Sequence, residues 1–258
     1  MSFNPFESLR SLARRRGDDT SLAPDAARAL GMLDGDPAGL VVACRRVLGH
    51  HRSNGALWWV CAQLLSTDDI GGGARRSAGA LEADRTGDRL RDVLGLQDEG
   101  ERLGVIGWPN AVASALDERF DLEVVAVVDE DDRVAVRNAS DRAELVEAYE
   151  LADSGVRTVL LAPNAASPTR MLVPAVVTDV LAEARAAELW VVLPLGRLLP
   201  ERLVQAVVDA NRADEDYVVI DYERVTRVID FAAVDTVADL ATRTDCPIPA
   251  ELLRPLDP

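Results

Sequence analysis

Side chains able to bind or transfer something are concentrated in a few short stretches of the 258-residue chain. In APNAASPTR, the residues Asn164, Ser167, Thr169 and Arg170 crowd one loop, and Arg170 near a helix start could anchor an anion with the help of the helix dipole. Ser-Pro-Thr is equally good helix-initiating sequence, with Arg170 then an ordinary surface charge. In GVIGWPN, the residues Gly107, Trp108 and Asn110 lie between an apolar run and a helical stretch, and Asp129 follows about 22 residues after Gly107. That order outlines a dinucleotide fold, with amides at the helix start holding phosphate and the carboxylate holding a ribose hydroxyl. The glycine fingerprint is absent, because Trp108, Pro109 and Asn110 stand where glycines would let a pyrophosphate approach.

Other polar groups point away from chemistry. The acidic run 129–132 could offer clustered oxygens to a divalent cation, but in so acidic a chain a solvated turn is the expectation, and no metal site is expected. His50 and His51, the two histidines, are adjacent and diverge on a helix, which suits a helix end or loop better than a metal site. Cys44, Cys61 and Cys246 lack CxxC spacing and read as buried apolar residues in a reducing compartment.

Composition removes whole classes of function. The net charge is -16, and all 28 basic residues are arginine. An acidic surface opposes nucleic-acid binding, which depends on neutralising phosphates. Without lysine there is no Walker P-loop, Schiff-base lysine or kinase-type ATP lysine. No apolar run approaches the roughly 20 residues of a membrane span. A cytoplasmic protein without cofactor, nucleic acid or membrane is therefore expected. The segment 1–23, with Phe3, Phe6, Leu9 and Leu12 at helical spacing ahead of Arg14, Arg15 and Arg16, is basic and amphipathic. It reads as a tail or short helix lying against the same acidic protein.

The elements that must position these residues change character along the chain. Residues 24–96 are helical, with stripes such as Leu40, Cys44, Val47 and Leu48 at steps of three and four. Gly71, Gly72 and Gly73 read as a flexible joint. Residues 102–255 alternate strands and helices, with strands at 103–106, 122–128, 157–161, 189–193, 217–220 and 224–229. Residues 134–136 read as a brief extended piece, and 111–119, 142–154, 172–187 and 201–210 as helices. This predicts an α/β fold: an N-terminal helical domain, then a Rossmann-like domain whose mostly parallel sheet has helices on both faces. Ligands in such sheets bind at the carboxyl ends of strands, near Gly107, Asp129, Ala162 and Pro194.

The stretch VLLAPNAASPTRMLVPAVVTDVLA resembles, without a gap, the strand, Gly-Ala-Asp loop and helix of the initiation-factor-2B-like proteins, and LWVVLPLGR resembles their next strand and Pro-Leu-Ser-Lys loop. HRSNGALWWVCAQLLS and VDTVADLATRTDCPIPAELL are similar to further segments, so the likeness spans most of residues 24–255. That group includes the α, β and δ regulatory subunits of eukaryotic initiation factor 2B and two sugar-phosphate isomerases, of methylthioribose 1-phosphate and ribose 1,5-bisphosphate. The resemblance implies a homodimer formed through the C-terminal domain and a sugar phosphate or nucleotide as ligand. The isomerases move protons with a cysteine, here near Trp108 and Pro109, and an aspartate, here Asn164. Neither indole, proline nor amide can carry a proton near neutral pH. The family's Asn-Lys pair falls at Pro174 and Ala175, and only Thr178 is kept from that motif. The resemblance thus implies a regulatory or binding protein without catalytic residues, its phosphate charge supplied by Arg170 or Arg197. The rival readings are an NAD(P)-dependent oxidoreductase and a translation-related regulatory subunit.

Overall fold

The computed structural model describes residues 10–15, 21–117, 119–128, 133–139, 143–243 and 246–256. Four helices open it: α1 (Leu22–Gly31), α2 (Pro37–His50), α3 (Gly55–Leu65) and α4 (Ile70–Glu82). Sequence explains their ends. Asp36 and Asn54 accept from the amides of Gly39 and Leu57, capping α2 and α3, and Pro37 starts α2 with its φ already helical. Leu30, Leu40, Leu48, Leu57, Trp58 and Leu64 are almost fully buried and form the bundle core.

The next helix, α5 (Thr86–Leu94), packs instead with α6 (Asn110–Leu116) on the main sheet. That sheet has seven strands: β1 (Arg102–Ile106), β2 (Glu123–Val127), β3 (Ala143–Val146), β4 (Thr158–Leu161), β7 (Glu188–Leu193), β9 (Val225–Asp230) and β10 (Val234–Asp235). Its order is β10-β9-β7-β4-β1-β2-β3, parallel throughout except for β10. Period-two alternation sends Leu103, Val105, Leu160, Trp190 and Val192 to the α5 and α6 face and Ile106, Leu161, Val191 and Leu193 to the other. Burial on both faces explains why these strands read as continuous apolar runs. The chain leaves β1 towards β2 and β3, then returns to β4 on the opposite side, so β1 and β4 flank the switch point.

A small antiparallel sheet of β5 (Ala165–Ala166), β6 (Met171–Pro174) and β8 (Tyr217–Ile220) sits on that other face. Near it lie α8 (Val176–Glu183) and α9 (Glu201–Ala210), whereas α7 (Arg133–Ala139) packs beside β3, with Val136 against Ala126 and Val128. Leu203, Val204 and Val207 of α9 enter the bundle core together with Ala165 and Leu172. One apolar cluster therefore joins the two halves of the chain.

The expected α/β class holds, and four local expectations change. Residues 171–174 form a strand, and the expected helix over 172–187 is confined to Val176–Glu183. Leu172 and Val173 satisfy a strand and a helix pattern equally, and pairing with β8 decides between them. The expected helix over 142–154 is β3 followed by a 3-10 turn, Ala148–Asp153, begun by a capping box between Glu147 and Glu150. Residues 134–136 are helical, in the crossover that a parallel β2 to β3 connection requires. The triple glycine is no joint: it forms the first turn of α4, where the Gly72 amide donates to the Asp69 carboxylate at 2.8 Å. His50 ends α2 and His51 caps it, as the helix-end reading expects. The three cysteines are buried. Among the described residues no helix is long and apolar enough to cross a membrane. Asp129 and the acidic run 129–132 lie outside the described residues, as do Phe3, Phe6, Leu9 and Arg16.

Helices α1 and α4 cross at Gly31, where an added Cβ would stand 2.4 Å from the Ala74 Cβ. Gly31→Ala should therefore cost about 1–3 kcal/mol in spite of alanine's better helix propensity, measurable as a lower urea midpoint.

Candidate functional site

The carboxyl ends of β1 and β4 lie level, with Ile106 paired to Leu161. Beyond β1, Gly107 turns the chain with φ of 70° and donates its amide to the Val127 carbonyl at 2.8 Å. Trp108 is half-buried against the sheet cluster that also contains Ala162, and Asn110 opens α6 at the surface. Bulk thus occupies the place where a dinucleotide fold keeps its glycines.

Beyond β4, the chain runs through Pro163 and Asn164 into the β5–β6 hairpin. The Asn164 carbonyl accepts from the Gly55 amide at 2.8 Å and from Arg197 Nη1 at 3.0 Å, while its own amide donates to the Leu172 carbonyl. The backbone of one residue therefore binds the start of α3, the loop after β7 and strand β6. Gly55 permits this approach, since a Cβ there would meet the Asn164 oxygen at 2.7 Å. Gly196, with φ of 85°, lets the loop after β7 approach Ala56, whose Cα an added Cβ would meet at 3.0 Å. Asp84, just before α5, adds a tether by accepting from the Leu195 amide at 3.1 Å.

Ser167, Thr169 and Arg170 form the hairpin tip, away from Asn164. The helix nearest in sequence after Arg170 starts only at Val176, so the expected help from a helix dipole at Arg170 is replaced by an ion pair with Glu201, Nη2 to Oε1 2.5 Å, and a bond to Gln205 of 2.8 Å. Thr169 Oγ1 donates to Glu201 at 2.7 Å. Ser167 is fully buried, and its Oγ accepts the amides of Thr169 and Arg170 at 3.2 Å each. The Tyr222 hydroxyl donates to the Ser167 carbonyl at 2.7 Å. Burial works against the Glu201 carboxylate, yet hydrogen bonds from Ser167 and Thr169 and the Arg170 charge outweigh it and hold Glu201 below the usual glutamate range. Burial pushes the Tyr222 phenol well up, so it stays protonated.

The structure thus brings Arg197 to Asn164, joins Ser167, Thr169 and Arg170, and sets Gly107, Trp108 and Asn110 beside the β4 end. It leaves Thr178 on the exposed side of α8, apart from both groups. Sequence reasoning missed Glu201, Gln205 and Tyr222. Glu201 and Gln205 sit four apart on the helix after Pro200, which places both on one face, a signal available in sequence but without an assigned partner. Also missed was Asp230, fully buried at the end of β9, where Oδ1 accepts the amides of Ala232 and Ala233 at 2.7 Å each.

This fold is shared with solved structures. The translation initiation factor eIF-2B from Pyrococcus horikoshii OT3 superposes with a TM-score of 0.74 at 12% identity, covering 93% of this chain and 100% of that one. The chain has the eIF-2B fold. The eIF2B beta structure from Chaetomium thermophilum matches at TM-score 0.65 and 12% identity, over 98% of this chain and 95% of that one. The tetrameric eIF2B-beta2-delta2 complex from C. thermophilum matches at 0.65 and 11%, over 92% of each chain. No protein-family model matches the sequence, and comparison with curated protein sequences finds no match.

Two outcomes follow from this geometry. Gly55→Ala should cost about 1–3 kcal/mol, because backbone meets backbone at that contact; a urea midpoint equal to wild type would contradict it. A depressed folded-state pKa means that the Glu201 contribution is complete above about 4.3 and is lost as pH falls through the lower folded value. Melting curves of Glu201→Gln should therefore lie below wild type at neutral pH and converge with it in acid.

Proposed function

We propose that the chain is a catalytically silent relative of the initiation-factor-2B-like proteins, a homodimer through its sheet-bearing C-terminal domain that binds or senses rather than converts a ligand. The observation that carries this reading is Asn164. Where the isomerases are expected to hold a carboxylate, this chain has an amide side chain, and the peptide group beneath it is committed to Gly55 and Arg197. Trp108 and Pro109 stand where the cysteine is expected, and Pro174, paired with Tyr217, ends a strand where the Asn-Lys pair is expected. An acid and a base within reach of the same sugar carbons are what proton transfer needs, and neither position supplies one.

The ligand on this reading is a sugar phosphate or nucleotide in the switch-point crevice. Gly107, Trp108 and Asn110 form one wall, Asn164 and Arg197 the other, and Ser167, Thr169 and Arg170 the outer rim; Thr178, exposed on α8, takes no part. The regulatory-subunit side of the fold is favoured over the isomerase side, because subunits need shape and surface where isomerases need a proton carrier. One similar structure is described as a tetrameric complex of beta and delta subunits, which suits a chain that works by association.

Thermal melts against a panel of sugar phosphates and nucleotides test the ligand. A ligand at about a hundred times its Kd adds about 2.7 kcal/mol, a shift of several degrees for a chain of this length. The shift should shrink in Asn110→Ala, and the same ligands should show no turnover by phosphorus NMR. Turnover of methylthioribose 1-phosphate or ribose 1,5-bisphosphate would overturn the silent reading.

A further inference from the structure

The small antiparallel sheet ends in an open edge. In the order β5-β6-β8, strand β8 pairs with β6 on one side and with no strand of the described residues on the other. Its sequence, Tyr217-Val218-Val219-Ile220, carries no charge, proline or bulge, the devices that ordinarily keep an edge from accepting a further strand. Val218 and Ile220 pack inwards against the sheet cluster, and Val219 is left 41% exposed. An open groove of about 320 Å³ lies beside the strand, lined by Leu181, Leu189, Val219 and Ile220 with Asp221 and Glu223. Arg224 also borders it, but its guanidinium is spent on the carbonyls of Leu181 at 3.2 Å, Ala184 at 3.3 Å and Arg185 at 3.1 Å, closing the end of α8.

Charge is confined to the two ends of this edge. Asp214, Glu215 and Asp216 precede β8 and Asp221 and Glu223 follow it; all are exposed, and none makes an ion pair among the described residues. The arginines outside those residues are Arg16 and Arg142. Arg16 follows Arg15, which is tied to Asp25 of the bundle, and Arg142 adjoins β3, four strands from β7. A second copy of the chain fits the edge badly. Full antiparallel overlap of two β8 strands sets Asp216 opposite Asp221, and like charges directly opposite are destabilising.

We infer that the free edge of β8 and its groove dock an extended segment of a partner protein, a few apolar residues flanked at both ends by lysine or arginine. The segment adds a strand to β8 through main-chain hydrogen bonds, its alternate side chains enter the groove, and its basic ends meet the two groups of carboxylates. Leu189 lies at the amino end of β7, so this surface is at the opposite end of the main sheet from the switch-point crevice. It stands whether or not the crevice binds a ligand.

Fluorescence anisotropy of the full chain with a labelled peptide, Lys-Lys-Val-Thr-Val-Leu-Lys-Lys, at low salt tests it. Wild type should bind. The same core flanked by glutamates should bind roughly tenfold more weakly or worse, and so should the lysine-flanked peptide with its core amides N-methylated, which cannot complete the ladder. Val219→Lys puts a charge on an exposed position, so it should melt with wild type and lose a similar factor in affinity. Asp216→Asn/Asp221→Asn should lose most of the salt dependence. Equal binding of the N-methylated peptide overturns the assignment, since charge alone would then hold the peptide. Wild-type affinity in Val219→Lys overturns it too. So does a failure of every peptide to bind together with a dimer that Val219→Lys dissociates in sedimentation, which would give the edge to a second copy.

Discussion

The fold depends on one peptide carbonyl. At Asn164 the chain has just left a central strand, and its oxygen accepts from the first amide of α3 and from Arg197. The two donors come from different halves of the molecule, and both are satisfied by an atom that every residue type possesses. Around this point Leu172 and Ala165 enter the bundle core, Gly196 presses against Ala56, and Asp84 holds the Leu195 amide. A buried carbonyl left without its donors costs about 1–3 kcal/mol, and displacing Gly55 would leave it half satisfied.

The hairpin tip is a second, more peripheral lock. Ser167, Thr169, Arg170, Glu201, Gln205 and Tyr222 bond one another across β5, β6 and α9. Polar residues that look like a site in sequence are spent here on one another. Arg170 is the clearest case. A guanidinium next to Ser-Pro-Thr suggests an anion, but the anion it holds is Glu201, part of the same chain and 31 residues away in sequence.

Much of the architecture was legible because its signals are local. Continuous apolar runs mark strands buried on both faces, as in LEVVAVV, and three-four periodicity marks the bundle. The likeness of residues 156–199 to one fold family pointed to the arrangement that the solved structures share. What could not be read depends on pairing. Leu172 and Val173 are a strand only because β8, more than forty residues later, lies beside them. Gly71 to Gly73 look flexible by composition, and an aspartate cap on a close-packed helix makes them rigid. The separation of Asn164 from Ser167 to Arg170 is likewise invisible in a string where they are neighbours, because a two-residue strand carries the chain from one end of a hairpin to the other.

The clasp at Asn164 is made by main-chain atoms, so it constrains positions 55 and 164 unequally. A side chain at position 55 strains the contact, whereas position 164 is anchored through its main chain. Substitution at 164 can therefore alter chemistry at the strand end without loosening the joint that holds the two halves together. A lineage with this scaffold is free to lose an acid there, or to acquire one, and remain folded while it does so. Architecture and reactivity are heritable separately in such a fold, and its spread among proteins of different function needs no change in the frame.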